Sequence, residues 1–242
     1  MTRPVRNIDI IRKSKRDHKN ISIIILSTTT ERECEYNNKT YIPTEIIKLQ
    51  IQTIYETFKG ADIFVITKSL LPTLLPLKNQ YTNLRILYQP NNNNENELSD
   101  LNLVFAANTN KHIIIISGAM LFSNNVIKNI LQDNSRILID KNDPQLPNTG
   151  IGVTLNNNRV VHMSYDLNPK WGKILYLNPK DYYKFQMLCQ SNDIHHKLLF
   201  EGINKFINNG GQILTFSPKK YFLSKVNNRN DIKRYVNLKL EL

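Results

Sequence analysis

The chain holds 242 residues with a formal net charge of +12, 32 Lys and Arg standing against 20 Asp and Glu. An apolar share of 40% and a charged share of 21% exclude a disordered chain and support one large domain with a real core. No run reaches the ~18 apolar residues of a membrane helix, no secretory leader is expected, and Cys34 and Cys189 lack metal or disulfide spacing, which points to a reducing, cytoplasmic setting.

Residues 1–20 carry Arg3, Arg6, Arg12, Lys13, Lys15, Arg16 and Lys19 against Asp9 and Asp17, so they read as a basic N-terminal arm. The positive balance favours anionic partners such as a nucleotide or nucleic acid. The same Lys excess, with the Asn tracts at 91–94 and 156–158, also fits an AT-rich, virus-like genome.

Residues 21–26, ISIIIL, form a first strand that is apolar on both faces, as in a parallel sheet. Ser27 to Arg32 is expected to be a polar loop at its carboxyl end, where α/β proteins hold phosphates. It has no glycine, which excludes a Gly-rich phosphate cradle. The hydroxyls of Ser27, Thr28, Thr29 and Thr30, with Arg32, remain as anion-binding candidates. Next comes a helix with Thr44 as N-cap, Glu45 in its first turn and Gly60 as its stop. Strands follow at 61–67 and 84–88, separated by a segment that Pro72 and Pro76 keep short or broken. A helix over 99–107 leads into HIIIISGAMLF at 112–122, a central strand that breaks at Ser117-Gly118.

Ser123 is placed as the cap of a helix over 124–133, followed by a strand over 136–140. From Gly150 the rhythm changes to a hairpin, 151–155 and 159–164, turning at 156–158. Strands at 172–177, 212–216 and 221–226 and helices at 181–189, 198–208 and 231–238 complete the chain. The expected fold is α/β: a Rossmann-like, mostly parallel central sheet flanked by helices, with an antiparallel hairpin addition in the second half. Residues 21–242 form a single domain.

Other constellations read as structural. His195 and His196 beside Asp193 would point about 100° apart on a helix, which does not favour one shared metal ion. His112 and His162 fall on strands, and Cys189 reads as a core thiol. Lys219, Lys220, Lys225, Arg229, Lys233 and Arg234 form a second basic cluster, without any nucleic-acid-binding motif beside it.

Several phrases carry a resemblance. Gly152-Val153, Asn158-Arg159-Val160-Val161, Trp171-Gly172-Lys173-Ile174 and Asn178-Pro179-Lys180-Asp181 follow one another as a hairpin and a WG-x-x-x-L strand. Asn96-Glu97-Leu98-Ser99 resembles an N-x-x-S stretch, residues 116–122 a strand ending G-D-x-x-F, and Asn230-Asp231-Ile232 a closing E-D-L. Together, over roughly residues 20–238, they resemble the sugar-phosphate nucleotidylyltransferase-like family, which has the nucleotide-diphospho-sugar transferase, GT-A-like fold.

The resemblance implies a nucleotide-binding half over 21–149 and an acceptor-binding half over 150–242. It makes Ser27 to Thr30, Arg32, Lys39, Asn96, Ser99 and Gly118 vestigial nucleotide-binding candidates, and Trp171, Gly172 and Lys173 acceptor-site candidates. The departures are specific. The family's L-A-A-G-x-G-x-R loop is replaced by LSTTTER, and its two metal-binding Asp positions fall on Ala119 and Asn227. Mg²⁺ takes oxygen ligands and offsets phosphate repulsion during transfer, and an alanine offers none.

Three functions therefore compete. One is a catalytically degenerate member kept as a binding or structural subunit, with a nucleotide or a protein assembly as partner. The second is an active, Mg-dependent enzyme joining an NTP to a sugar or alcohol phosphate. The third is a basic nucleic-acid-binding module. If the site is abandoned, Ala119→Asp alone does not restore transfer.

Overall fold

The computed structural model describes residues 20–36, 42–90, 96–108, 112–141, 146–147, 150–194 and 197–240. The basic arm, Lys39, the tract at 91–94 and the His195-His196 pair lie outside these residues or, for the arm, meet them only at Asn20. In chain order the elements are β1 (Ile21–Leu26), α1 (Ser27–Tyr36), α2 (Ile42–Thr57), β2 (Asp62–Thr67), α3 (Leu71–Leu74), β3 (Leu84–Tyr88), α4 (Glu97–Ala107) and β4 (His112–Ser117). They continue with β5 (Met120–Phe122), α5 (Asn124–Lys128), β6 (Arg136–Asp140), β7 (Ile151–Asn156), β8 (Arg159–Tyr165), β9 (Lys170–Leu177) and α6 (Pro179–Cys189). The chain then forms α7 (Leu199–Asn208), β10 (Leu214–Phe216), β11 (Leu223–Lys225) and α8 (Arg229–Leu240).

The main sheet runs β3-β2-β1-β4-β9-β6-β10-β8-β7, and β5 pairs with β11 in a second, two-stranded sheet. β3, β2, β1 and β4 are mutually parallel. β9 then lies antiparallel between β4 and β6. The sheet is therefore mixed, which corrects the expectation of a mostly parallel one. β8 and β9 run in the same direction, since both are antiparallel to β7, and β9 enters the sheet between β4 and β6.

Strand periodicity divides the core between two faces. Ile24, Leu26, Ile113 and Ile115 join Leu98, Leu101, Phe105, Phe185, Ile203 and Phe206 from α4, α6 and α7. Ile21, Ile23, Ile25, Ile114 and Ile116 pack instead with Ile47, Ile51, Ile54, Val126 and Ile127 from α2 and α5. Successive side chains of a strand point to opposite faces, so a wholly apolar strand is stable only with helices on both sides. Each fully buried Ile contributes about 1.5–3 kcal/mol by leaving water. A smaller cluster collects Ile42, Ile46, Ala119, Leu121, Val226, Ile232 and Tyr235 around β5, β11 and α8.

Several boundaries shift for local reasons. α2 begins at Ile42, ahead of the expected cap Thr44. Pro43 suits a first helical turn, whose amides have no partner within the helix, so the helix starts before it. Thr44 then lies inside the first turn, its hydroxyl 3.4 Å from that of Thr73. The prolines divide residues 71–79 into α3 and a 3-10 turn, as expected. α5 is shorter than expected, and Ser123 uses its hydroxyl to accept the amide of Phe222 at 3.1 Å. β4 stops at Ser117 because Gly118 takes φ 80°, and Met120–Phe122 leaves as a strand of the second sheet. Asn157 and Asn158, at φ 48° and 63°, make the tight hairpin turn that asparagine tolerates best after glycine. At Gly152 a Cβ would lie 1.9 Å from the Leu167 carbonyl oxygen, so glycine there lets the link back to β9 pass against the hairpin.

Candidate functional site

The segment after β1 is a helix, α1, and not the expected loop. Its polar side chains hold it to the body of the protein. Ser27 donates to Glu31 at 2.8 Å, Thr28 to Asp100 at 2.5 Å and Thr29 to Glu97 at 3.0 Å. Glu31 is itself buried and accepts from the Thr67 hydroxyl at 2.7 Å and from the amides of Lys68 and Ser69 at 3.3 and 3.0 Å. The Ser69 hydroxyl adds a further bond at 2.7 Å. The carboxylate of Glu31 thus occupies the anion-accepting turn at the end of β2 from within. Without glycine the segment cannot wrap a ligand, and with these internal acceptors it has reason to coil.

This placement corrects the anion-binding reading of Ser27, Thr28 and Thr30, which are all fully buried. Thr29 and Arg32 do line the main cleft. Arg32 also donates to Asn96 at 3.0 Å, so Asn96 serves to position a cation. Ser99 is buried in α4 and is not among the residues that line the cleft. Gly118 turns the chain and offers its carbonyl to Gln50 at 3.2 Å, so its role is structural. Lys39 lies outside the described residues.

The cleft encloses about 350 Å³ at the carboxyl ends of β1 and β4, between α1, the start of α7, the hairpin side of the sheet and β11. Its floor is Glu97, which is buried. One carboxylate oxygen accepts from Thr29 and from Ser117, and the other accepts from the Leu199 amide at 2.8 Å. Glu97 therefore sits in the first turn of α4 and against the first amide of α7, where two helix dipoles favour negative charge. Nearby Asp100 is also fully buried, and burial pushes its carboxyl above the ordinary range, against the pull of the Thr28 hydroxyl. Its second oxygen has no partner among the described residues.

Four cations, Arg32, Lys170, Lys173 and Lys225, line the same cleft. Aromatic rings form part of its wall: Trp171, and Tyr165 packed edge-on to Phe200 at 5.7 Å. Of the acceptor-site candidates, Trp171 and Lys173 reach the cleft. Gly172 does not line it, because an added Cβ there would meet Leu138 at 2.5 Å in the core. Ala119 is fully buried in the small apolar cluster and is not among the lining residues. Asn227 lies beyond Lys225, its amide donating to Asp231 at 2.8 Å. Ser117 and Met120 line the cleft beside β11, where Lys225 pairs with Met120.

A divalent cation does not fit this set of groups. Mg²⁺ calls for oxygen ligands, carboxylates above all. The one carboxylate of the lining has both oxygens taken by three donors, and its neighbours are cations. Among the described residues no three His, Cys, Asp or Glu side chains are grouped to hold a metal ion.

Glu97, Lys170, Tyr165, Phe200 and Lys225 escape sequence reasoning as cleft residues. Glu97 opens α4, and a carboxylate in a first helical turn is usual. Lys225 lies within the basic run near the C-terminus, whose other described members, Lys219, Lys220, Arg229, Lys233 and Arg234, are exposed. The remaining candidates are structural. His112 bonds the Tyr176 hydroxyl at 2.9 Å, and burial raises the Cys189 thiol. Asp193 pairs with Lys205, which holds its carboxyl down at about 2.

No family model matches the chain, and no curated protein matches its sequence. Solved structures do match its fold. The inositol-1-phosphate CTP transferase of T. maritima is 12% identical, with a TM-score of 0.69 over 90% of this chain and 94% of that one. The CTP:phosphocholine cytidylyltransferase of Streptococcus pneumoniae is 16% identical, with a TM-score of 0.65 over 90% and 98%. The nucleoside-diphosphate-sugar pyrophosphorylase of Vibrio cholerae is 9% identical, with a TM-score of 0.64 over 90% and 99%. The chain has the nucleotidyltransferase-like, nucleotide-diphospho-sugar fold that the resemblance implies.

Proposed function

We propose that this chain is a nucleotidyltransferase-fold protein that binds a nucleotide in its cleft and no longer performs metal-dependent transfer. It serves as a binding or structural subunit. Residues 21–149 supply one wall of the site and residues 150–242 the other. The observation that carries the reading is the content of the cleft: four cations, an aromatic wall and a single carboxylate that is already fully engaged. Cations and rings bind phosphates and bases. In-line transfer between two phosphates needs a strong positive centre at the reacting oxygens, and the described residues of this site offer no ligand set for a divalent ion.

The test pairs two measurements on the intact chain. Calorimetry against CTP, UTP, ATP and GTP is expected to show binding of at least one. Pyrophosphate release from the same nucleotides, with Mg²⁺ and a panel of sugar and alcohol phosphates, is expected to stay at the no-protein blank. Sustained release would replace this reading with the active one. That second reading has its own support, since proteins described as transferases share the fold over 90% of this chain.

A further inference from the structure

We propose that the cleft holds a phosphate-bearing ligand without a divalent cation, with Lys170 as the buried counter-charge and Lys173 and Lys225 completing the positive centre. The inference rests on the reading of this cleft as a nucleotide site and names how its charge is met.

Lys170 is the first observation. It is only 6% exposed, yet among the described residues its ammonium makes a single long hydrogen bond, 3.5 Å to the Gly150 carbonyl. An ammonium has three donors, and burying it unpaired is costly. Its cross-strand neighbour Asp140 gives no relief, because that carboxylate accepts from the Leu146 amide at 2.5 Å and from the Tyr221 hydroxyl. No ion pair joins Lys170 to any described residue. The space it lines is the cleft, so an acceptor bound there would satisfy it.

Lys173 is the second. It is a non-glycine residue at φ 57°, in the stretch where the β6–β9 register shifts. Bulges re-aim side chains and are common beside functional sites. Here the irregularity accompanies a lysine that lines the same cleft as Lys170. Lys225 is the third. It ends β11 opposite Met120, and both line the cleft. The charge that a metal ion would bring to phosphate oxygens is thus supplied by ammonium groups, which need no acidic ligands. The ligand class is a phosphate ester or diphosphate whose organic part lies against Trp171, Tyr165 and Phe200.

The experiment is calorimetry of the intact chain with CTP, UTP, ATP, GTP and inorganic pyrophosphate, each in EDTA and in excess Mg²⁺. At least one anion is expected to bind with a Kd that changes less than twofold between the two conditions. Lys225→Gln and Lys173→Gln, both at partly exposed positions, are each expected to weaken it tenfold or more. Lys170→Met is expected to abolish it, with circular dichroism reporting whether that variant folds. Nucleotide binding only with Mg²⁺ would overturn the inference and leave the proposed function standing. Pyrophosphate bound in EDTA with no nucleotide bound would support the inference and overturn the nucleotide reading. No binding in either condition would overturn both, and wild-type affinity in both glutamine variants would overturn the inference alone.

Discussion

The two walls of the cleft treat their polar groups in opposite ways. On the α1 side, hydroxyls and carboxylates are paired with one another inside the protein: Ser27 and Thr67 on Glu31, Thr28 on Asp100, Thr29 and Ser117 on Glu97. On the β9 and β11 side, cations face the cavity, and the most buried of them, Lys170, has one long hydrogen bond among the described residues. Buried polar groups that satisfy each other serve stability, whereas an under-satisfied buried charge calls for a partner from outside. On the proposed reading, the α1 wall is held together internally apart from Arg32, and most of the cleft's positive charge stands on the opposite wall.

The largest expected effect is at Ala119, in the apolar cluster beside β11 and α8. Aspartate at this position enters the apolar cluster of Ile42, Ile46, Leu121 and Tyr235. A buried, unpaired carboxylate costs about 4 kcal/mol or more. Ala119→Asp is therefore expected to lower the urea midpoint sharply and to release no pyrophosphate. Transfer by a stably folded Ala119→Asp protein would place a metal site at Ala119.

Glu31→Ala comes next. It strands the hydroxyls of Ser27, Thr67 and Ser69 and two backbone amides. Loss of these charge-assisted bonds is expected to cost about 3–4 kcal/mol in urea unfolding. A loss below ~1 kcal/mol would mean that α1 is held by packing and not by its carboxylate.

Glu97→Gln is milder, because the hydroxyls of Thr29 and Ser117 can turn to accept from the new amide while its oxygen keeps the Leu199 bond. About 1–2 kcal/mol is expected from exchanging charged for neutral hydrogen bonds. Removing the one negative charge of the lining is also expected to tighten anion binding. Weaker binding by this variant would mean that Glu97 touches the ligand favourably.

The smallest effect concerns Asp100 and pH. Burial raises its carboxyl, so the folded chain holds that proton more tightly than the unfolded one. This contribution to stability is full below about pH 4, the ordinary carboxylate value, and is lost as pH rises through the elevated one. Asp100→Asn imitates the protonated form. It is expected to match wild type near pH 4.5, to exceed it by up to ~1 kcal/mol near pH 7.5, and to flatten the slope between them. An unchanged slope would assign the pH dependence to other groups.

Much of the architecture was legible in the residues. The wholly apolar runs of β1 and β4 announce strands covered on both faces, and the Asn157-Asn158 turn, β3 and β6 lie where pattern alone places them. The absence of glycine after β1 excludes a phosphate cradle without any structure, because that exclusion depends only on Cβ atoms. Local chemistry suffices for these conclusions.

Three things depended on long-range contact. α1 is a helix because Glu31, Asp100 and Glu97 accept its hydroxyls from as far away as Asp100, 72 residues along the chain from Thr28. β9 lies between β4 and β6, antiparallel to both, a placement set by partners far along the chain. Lys225 joins Lys170 and Lys173 only because β11 pairs with β5 beside the end of β4. The sequence by itself determined the apolar strands and the lack of glycine after β1. Only the tertiary structure decided which charges stand in the cleft, since charge complementarity depends on neighbours in space and not on neighbours along the chain.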